Sequence, residues 1–249
     1  MSDSRTLLTY GLHAVEAAFR HAPEAILECW IRLGTVQPEL EQLVARATAL
    51  GVRAQRVGGE ALERIAGAPG HQGVVIRRRP PRGWAFDEWL ATHVIGAALP
   101  LVLVVDQLQD PQNLGAVLRL ADATGVSGII LTKDRSAGIT PAVAKVASGA
   151  LDTVPLVFVT NLARTLEALK EAGVWLVGAS GEASESLYML DLNRPLAWII
   201  GAEGAGLRRL TRESCDWLAR IPLKGTVESL NLGTATAVCL FETLRQRGA

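Results

Sequence analysis

The sequence predicts an α/β protein in two units, a small one followed by a larger one built on a parallel sheet. Three observations carry this. Short apolar runs suited to strands alternate, along most of the chain, with segments whose apolar residues recur at helical spacing. The alternation breaks once, at RRRPPRGW (Arg77–Trp84), where consecutive prolines enforce extended backbone and bar helix at Arg79. Beyond that break the strand candidates include near-continuous apolar runs, the pattern of strands covered by helices on both faces.

In the first unit, Leu12, Val15, Ala18 and Phe19 mark a helix within Gly11–His21, and ILECWIR (Ile26–Arg32) reads as a strand. Leu40, Leu43, Val44 and Ala47 mark a second helix, followed by a strand at Val52–Val57, a short helix at Glu60–Ile65 and a strand at Gly73–Ile76. Gly51, Gly58, Gly59, Gly67 and Gly70 fall between elements, where turns use them. Residues 1–76 are thus expected to form a small α/β sandwich, residues 77–98 a semi-rigid linker with a helical turn at Asp87–Leu90, and residues 99–249 the second domain.

That domain opens on LVLVV (Leu101–Val105), then a polar loop DQLQDPQN and a helix with Leu114, Val117, Leu118 and Ala121 on its apolar face, ended by Gly125. Arg119 lies off that face. Strands are expected at Val126–Leu131, Val154–Val159, Val174–Ala179, Leu196–Ile200 and Leu218–Ile221, with helices near Thr140–Gly149, Asn161–Glu171 and Leu210–Asp216. A final apolar helix begins near Gly233.

Composition limits the function classes. With 49% hydrophobic and 20% charged residues in 249, the chain can bury a sizeable core. No apolar run approaches the 18 or so residues of a membrane span, and MSDSRTLLTYG lacks a signal-peptide layout, so a cytoplasmic location is expected. Three scattered cysteines and four histidines show no ligand spacing, so reduced thiols and no metal are expected. The net charge of zero argues against gripping nucleic acid with the whole surface. Two local clusters remain, Arg77, Arg78, Arg79 and Arg82, and Arg208, Arg209 and Arg212. Each reads equally as solvated surface or as an RNA contact, and the RNA reading falls on Arg77, Arg78, Arg79 and Arg208.

Ligands of parallel sheets bind beyond the carboxyl ends of strands, which here directs attention to three loops: Asp106–Asn113, Gly201–Leu207 and Lys224–Asn231. The glycine loop GAEGAGL is not a dinucleotide fingerprint. Its order is G-x-x-G-x-G, it comes late, and Glu203 inside the turn would repel a pyrophosphate while suiting a cationic ligand or an arginine. In the third loop Glu228, Ser229 and Asn231 sit at a strand-to-helix junction, where Ser229 or Asn231 can also serve as an ordinary helix cap.

Together these loops resemble a known family. DPQNLGAVLRLADATGV (Asp110–Val126), GAEGAGLRRLT (Gly201–Thr211) and IPLKGTVESLNLGTATAV (Ile221–Val238) are similar to the three motifs of SpoU-type RNA 2′-O-ribose methyltransferases of the SPOUT superfamily. KDRSAG (Lys133–Gly138) and VTNLART (Val159–Thr165) bring the resemblance nearest to the bacterial 23S rRNA (guanosine-2′-O)-methyltransferases. The resemblance implies a C-terminal trefoil knot, a homodimer through the last helix, and an N-terminal domain like ribosomal protein L30e that binds RNA. It implies S-adenosylmethionine as cofactor, lined by Gly201, Ile221 and Leu230, and 23S rRNA as substrate, methylated on a guanosine of the peptidyl-transferase P-loop. Asn113, Arg119, Glu203, Ser229 and Asn231 match its functional positions.

The chain departs from that pattern after Asn231, where Leu232, Gly233 and Thr234 replace the usual Val-Ser-Val. The alternatives are a tRNA ribose methyltransferase, which shares the motifs, and a non-catalytic RNA-binding protein of ribosome assembly, against which the retained polar residues count. A nucleotide-dependent oxidoreductase is disfavoured by the glycine order.

Overall fold

The computed structural model describes residues 6–34, 37–134, 136–202, 204 and 206–248. The chain divides into two compact units, Met1–Pro81 with Gly138–Thr153, and Arg82–Ala137 with Val154–Ala249.

The first unit contains β1 (Leu7–Tyr10), α1 (Leu12–His21), β2 (Ile26–Arg32), α2 (Pro38–Ala49), β3 (Ala54–Val57), α3 (Gly59–Ala66) and β4 (Val74–Arg78). Its sheet has the order β1-β4-β2-β3, with β4 antiparallel to both neighbours and β3 parallel to β2. Strand periodicity sorts the core. Cys29, Ile31, Val74 and Ile76 face α1 and α2 on one side, while Trp30 and Val75 pack with Leu62 and Ala66 of α3 on the other. Gly67 ends α3 in the left-handed conformation (φ 68°), which its missing Cβ makes inexpensive. β1 was not anticipated, because LLTY is too short and too close to the terminus to show a period. β4 runs on through Arg77 and Arg78, and α4 (Phe86–His93) fills a full helix where one turn was expected.

The second unit continues from α4 with β5 (Leu101–Val105), α5 (Pro111–Ala123) and β6 (Gly128–Thr132). The next helix, α6 (Pro141–Ala147), belongs to the first unit and packs on β1. Then come β7 (Leu156–Val159), α7 (Leu162–Glu171), β8 (Trp175–Ala179), β9 (Glu185–Ser186), β10 (Leu196–Ile200), α8 (Arg209–Ser214), β11 (Trp217–Arg220) and α9 (Leu232–Gln246). The sheet order is β7-β6-β5-β10-β8-β11-β9, and every pairing in it is parallel. All five residues of β5 and all five of β10 are buried, as the expected two-sided cover requires.

Side-chain polar groups fix the helices on this sheet. Asp110, Asn161 and Asn231 cap α5, α7 and α9 by accepting from backbone amides in each first turn. The buried Trp198 of β10 donates its indole N–H to Thr243 Oγ1 of α9 at 2.9 Å, and α9 packs along α5. No helix among the described residues is long and apolar enough to cross a membrane.

Candidate active site

In an all-parallel sheet the loops that follow β5, β10 and β11 leave the same edge. The order reverses between β5 and β10: from β5 the chain proceeds to β6 on one side, and from β10 it proceeds to β11 on the other. Such a switch point opens a crevice at the carboxyl ends of the two strands. Asp106 directly follows β5, Gly201 follows β10 and Ile221 follows β11.

The loop after β5 turns sharply. Gln107 adopts φ 64°, a conformation rare for a residue with a Cβ and often found where a site is built. Asp110 then accepts from the Gln112 amide at 2.9 Å, and Pro111 occupies the first helical position without a missing donor to satisfy. This start places Asn113, 8% exposed, in the first turn of α5 and Arg119 further along on the exposed side.

Asn231 joins two of the three loops. Its Oδ1 accepts from the Gly233 amide at 2.8 Å, which caps α9 and leaves the side-chain nitrogen to donate to Asn113 Oδ1 at 3.2 Å. The cap reading and the site reading of this residue therefore hold together. Gly233 sits inside this arrangement, since a Cβ there would lie 3.2 Å from Asn231 Oδ1 and 3.6 Å from the Ala116 methyl. Ser229 is exposed two residues before the cap.

The glycine loop folds tightly on itself. The Gly206 amide donates to the Ala202 carbonyl at 2.9 Å, and a Cβ on Gly201 would stand 2.1 Å from the Gly206 carbonyl carbon. Gly201 is glycine because backbone occupies the space of a side chain. Gly204 and Gly206 have positive φ and nothing within 4 Å of the Cβ position. Glu203, expected to be functional, lies outside the described residues.

Two expected RNA contacts are placed differently. Arg208, half exposed, directs Nε and Nη2 onto the two carboxylate oxygens of Asp106, both at 2.8 Å, and Thr211 Oγ1 adds a third bond at 3.1 Å. Arg78 is a correction. Its side chain is 1% exposed and both guanidinium ends engage Asp152, itself 3% exposed, so in this fold it presents no charge to RNA. Arg77 is partly exposed, pairs with Glu28 at 2.5 Å and lies over the Trp30 ring, while Arg79 donates to the Glu24 carbonyl. Asp106 and Thr211 carried no individual expectation. The available signal was a carboxylate placed immediately after a fully apolar central strand.

Two family models match the chain, the SpoU rRNA methylase family over residues 100–241 and the RNA 2′-O ribose methyltransferase substrate-binding family over residues 8–84. A Shewanella oneidensis protein named 23S rRNA (guanosine-2′-O-)-methyltransferase RlmB is 49% identical over 243 residues, 96% of this chain and 97% of that one. A Pseudomonas syringae protein of the same name is 50% identical over 244 residues, 96% of each. Among solved structures, the AdoMet-bound rRNA methyltransferase of Sinorhizobium meliloti superposes with a TM-score of 0.82 at 27% identity, covering 98% of this chain and 88% of that one. With both domains matched and half the residues shared along nearly the full length, the chain belongs to the SpoU rRNA methylase family.

Proposed function

We propose that the protein transfers a methyl group from S-adenosylmethionine to the ribose 2′-hydroxyl of a guanosine in 23S rRNA, in the P-loop of the peptidyl-transferase centre. The observation that carries this is the joining of Asn231 to Asn113 beside the switch point, in a chain half identical to proteins named for that reaction.

The residues fit such a cofactor. Gly201, Ile221 and Leu230 offer backbone groups after β10 and β11, and the Cβ positions of Gly204 and Gly206 face open space. When bound, S-adenosylmethionine supplies an electrophilic sulfonium methyl. Everything else is alignment of two substrates, where correct geometry accounts for much of the rate. Asn113 and Asn231 lock the first and third loops, Ser229 faces solvent where a substrate hydroxyl can meet it, and Glu203 is assigned to orient an arginine.

Arg119 is assigned to the RNA. A guanidinium presents a planar fork of donors and no acceptor, which suits it to a phosphate better than to taking a proton. It binds a phosphate beside the target ribose and steadies negative charge growing on the 2′ oxygen, which eases loss of the proton. Among the described residues no hydrogen bond or ion pair engages the exposed Arg119 side chain. Arg77 and Arg79 extend the RNA contact on an L30e-like first unit. We further assign a trefoil knot at the C-terminal segment, a homodimer through α9 and a cytoplasmic location, as the resemblance of the three motifs implies.

Incubation of unmodified 23S rRNA and tRNA transcripts with enzyme and cofactor, then nuclease digestion and mass spectrometry, tests the reading. The expected product is 2′-O-methylguanosine from 23S rRNA. Methylation of tRNA alone would make the protein a tRNA ribose methyltransferase, and no product from either RNA would leave an RNA-binding role.

A further inference from the structure

We propose that Asp106 and Arg208 are positioning residues that clamp both ends of the glycine loop, residues 201–207, and thereby hold it ready for the cofactor; this rests on the S-adenosylmethionine reading of that loop. The loop departs from β10 at Ile200, whose carbonyl accepts from the Asp106 amide at 2.9 Å. It returns at Arg208, whose Nε and Nη2 bind the carboxylate of the same Asp106 at 2.8 Å each. Thr211, one turn into α8, adds its hydroxyl at 3.1 Å. One residue at the end of the central strand therefore fastens the loop where it leaves and where it comes back.

The chemistry suits a clamp. Asp106 is 1% exposed, so water does not replace a lost partner, and a guanidinium fork on a carboxylate fixes angle as well as distance. Between the two anchors the loop closes by the Gly206 to Ala202 bond, and Leu207 is buried against the place where Gly178 lacks a side chain. Gln107, directly after the clamp, turns the chain away with positive φ. A loop ordered before binding loses less entropy on binding, so loosening it weakens the cofactor without touching the reacting atoms.

Asp106→Asn, Arg208→Gln, Arg208→Lys and the double variant Asp106→Asn/Arg208→Gln test this in the full chain. Deuterium uptake of the ligand-free peptide spanning 201–211 reads the clamp alone, and calorimetric titration with S-adenosylhomocysteine reads its consequence. Uptake rises in Asp106→Asn and Arg208→Gln, and the dissociation constant rises about tenfold in each, less in Arg208→Lys. The double variant is no worse than the weaker single, because the pair acts as one unit. Unchanged loop uptake overturns the proposal, as does unchanged affinity alongside lowered thermal stability. A loss of RNA affinity in Arg208→Gln with cofactor affinity intact overturns it in favour of a direct RNA contact. Failure of the wild type to bind cofactor sinks the cofactor reading, while loop uptake still decides the clamp.

Discussion

Asn231 performs two tasks with one amide, and the two can be separated by substitution. Asn231→Ala removes both the cap of α9 and the bond to Asn113, so it should lower stability by about 1 kcal/mol and abolish methyl transfer. Asn231→Asp keeps the cap, since a carboxylate also accepts from the Gly233 amide, but it cannot donate to Asn113 Oδ1. Urea unfolding and a turnover assay should find near wild-type stability without activity; retained activity would show that the Asn113 bond is dispensable. Arg119→Ala should stop turnover while leaving S-adenosylhomocysteine binding within about twofold by calorimetry, because the ribose and phosphate are its assigned partners. Asn113 and Asn231, which the structure joins by a hydrogen bond, each stand in a motif of recognisable spacing. Arg78 and Asp106 were not legible in the sequence, since a run of arginines reads as surface and a carboxylate after a strand reads as loop. Only the partners, Asp152 and Arg208, distant in sequence, reveal that both are buried.

Elements were readable where the period was long enough. β5 and β10 are continuous apolar runs and α5 shows a clean helical stripe, whereas β1 and the two-residue β9 carry too few residues to show either. Tightness at the glycine loop was invisible as well, because G-x-x-G-x-G looks the same whether a glycine serves a turn or a close approach. The structure separates these cases. Gly201→Ala would force a methyl into the Gly206 backbone and should cost about 3 kcal/mol in denaturant unfolding, while Gly204→Ala, with open space and only a positive φ (78°), should cost about 1 kcal/mol. Equal costs would contradict the assigned crossing. The cysteines offer a check on packing. Burial pushes the Cys29 thiol up to about 11 and those of Cys215 and Cys239 up to about 12. Native protein should therefore react slowly with a thiol reagent at pH 8 and fully once unfolded. Because these folded-state values lie above the ordinary thiol value near 9, their contribution is complete below that value and is lost as pH rises toward 11 to 12.

At the scale of the molecule, the match to the methylase family and the compact units do not coincide. The family match spans residues 100–241, yet Gly138–Thr153 packs as part of the first unit. Three features hold that segment there. Arg78 and Asp152 form a buried pair, Lys145 reaches the Gly70 carbonyl and lies 5.1 Å from the Tyr10 ring centre, and Gly149 leaves room for the Ala17 methyl. Arg78→Met alone strands a buried carboxylate and should cost about 3–5 kcal/mol, whereas Arg78→Met with Asp152→Leu should recover most of that loss in urea unfolding. Equal loss in both would mean that the pair contributes more than its own charges.

Ribose methylation is the claim on which the whole account rests, and the reaction leaves a direct chemical mark. A methylated 2′ oxygen cannot attack its neighbouring phosphate, so alkaline hydrolysis skips that one bond. Unmodified 23S rRNA treated with the protein and S-adenosylmethionine, then hydrolysed in alkali and resolved nucleotide by nucleotide, should show one gap, 3′ to a single guanosine of the P-loop. The gap should be missing when Arg119→Ala replaces the wild type. An unbroken ladder on RNA that has nonetheless gained a methyl group would place the modification on a base and contradict the account.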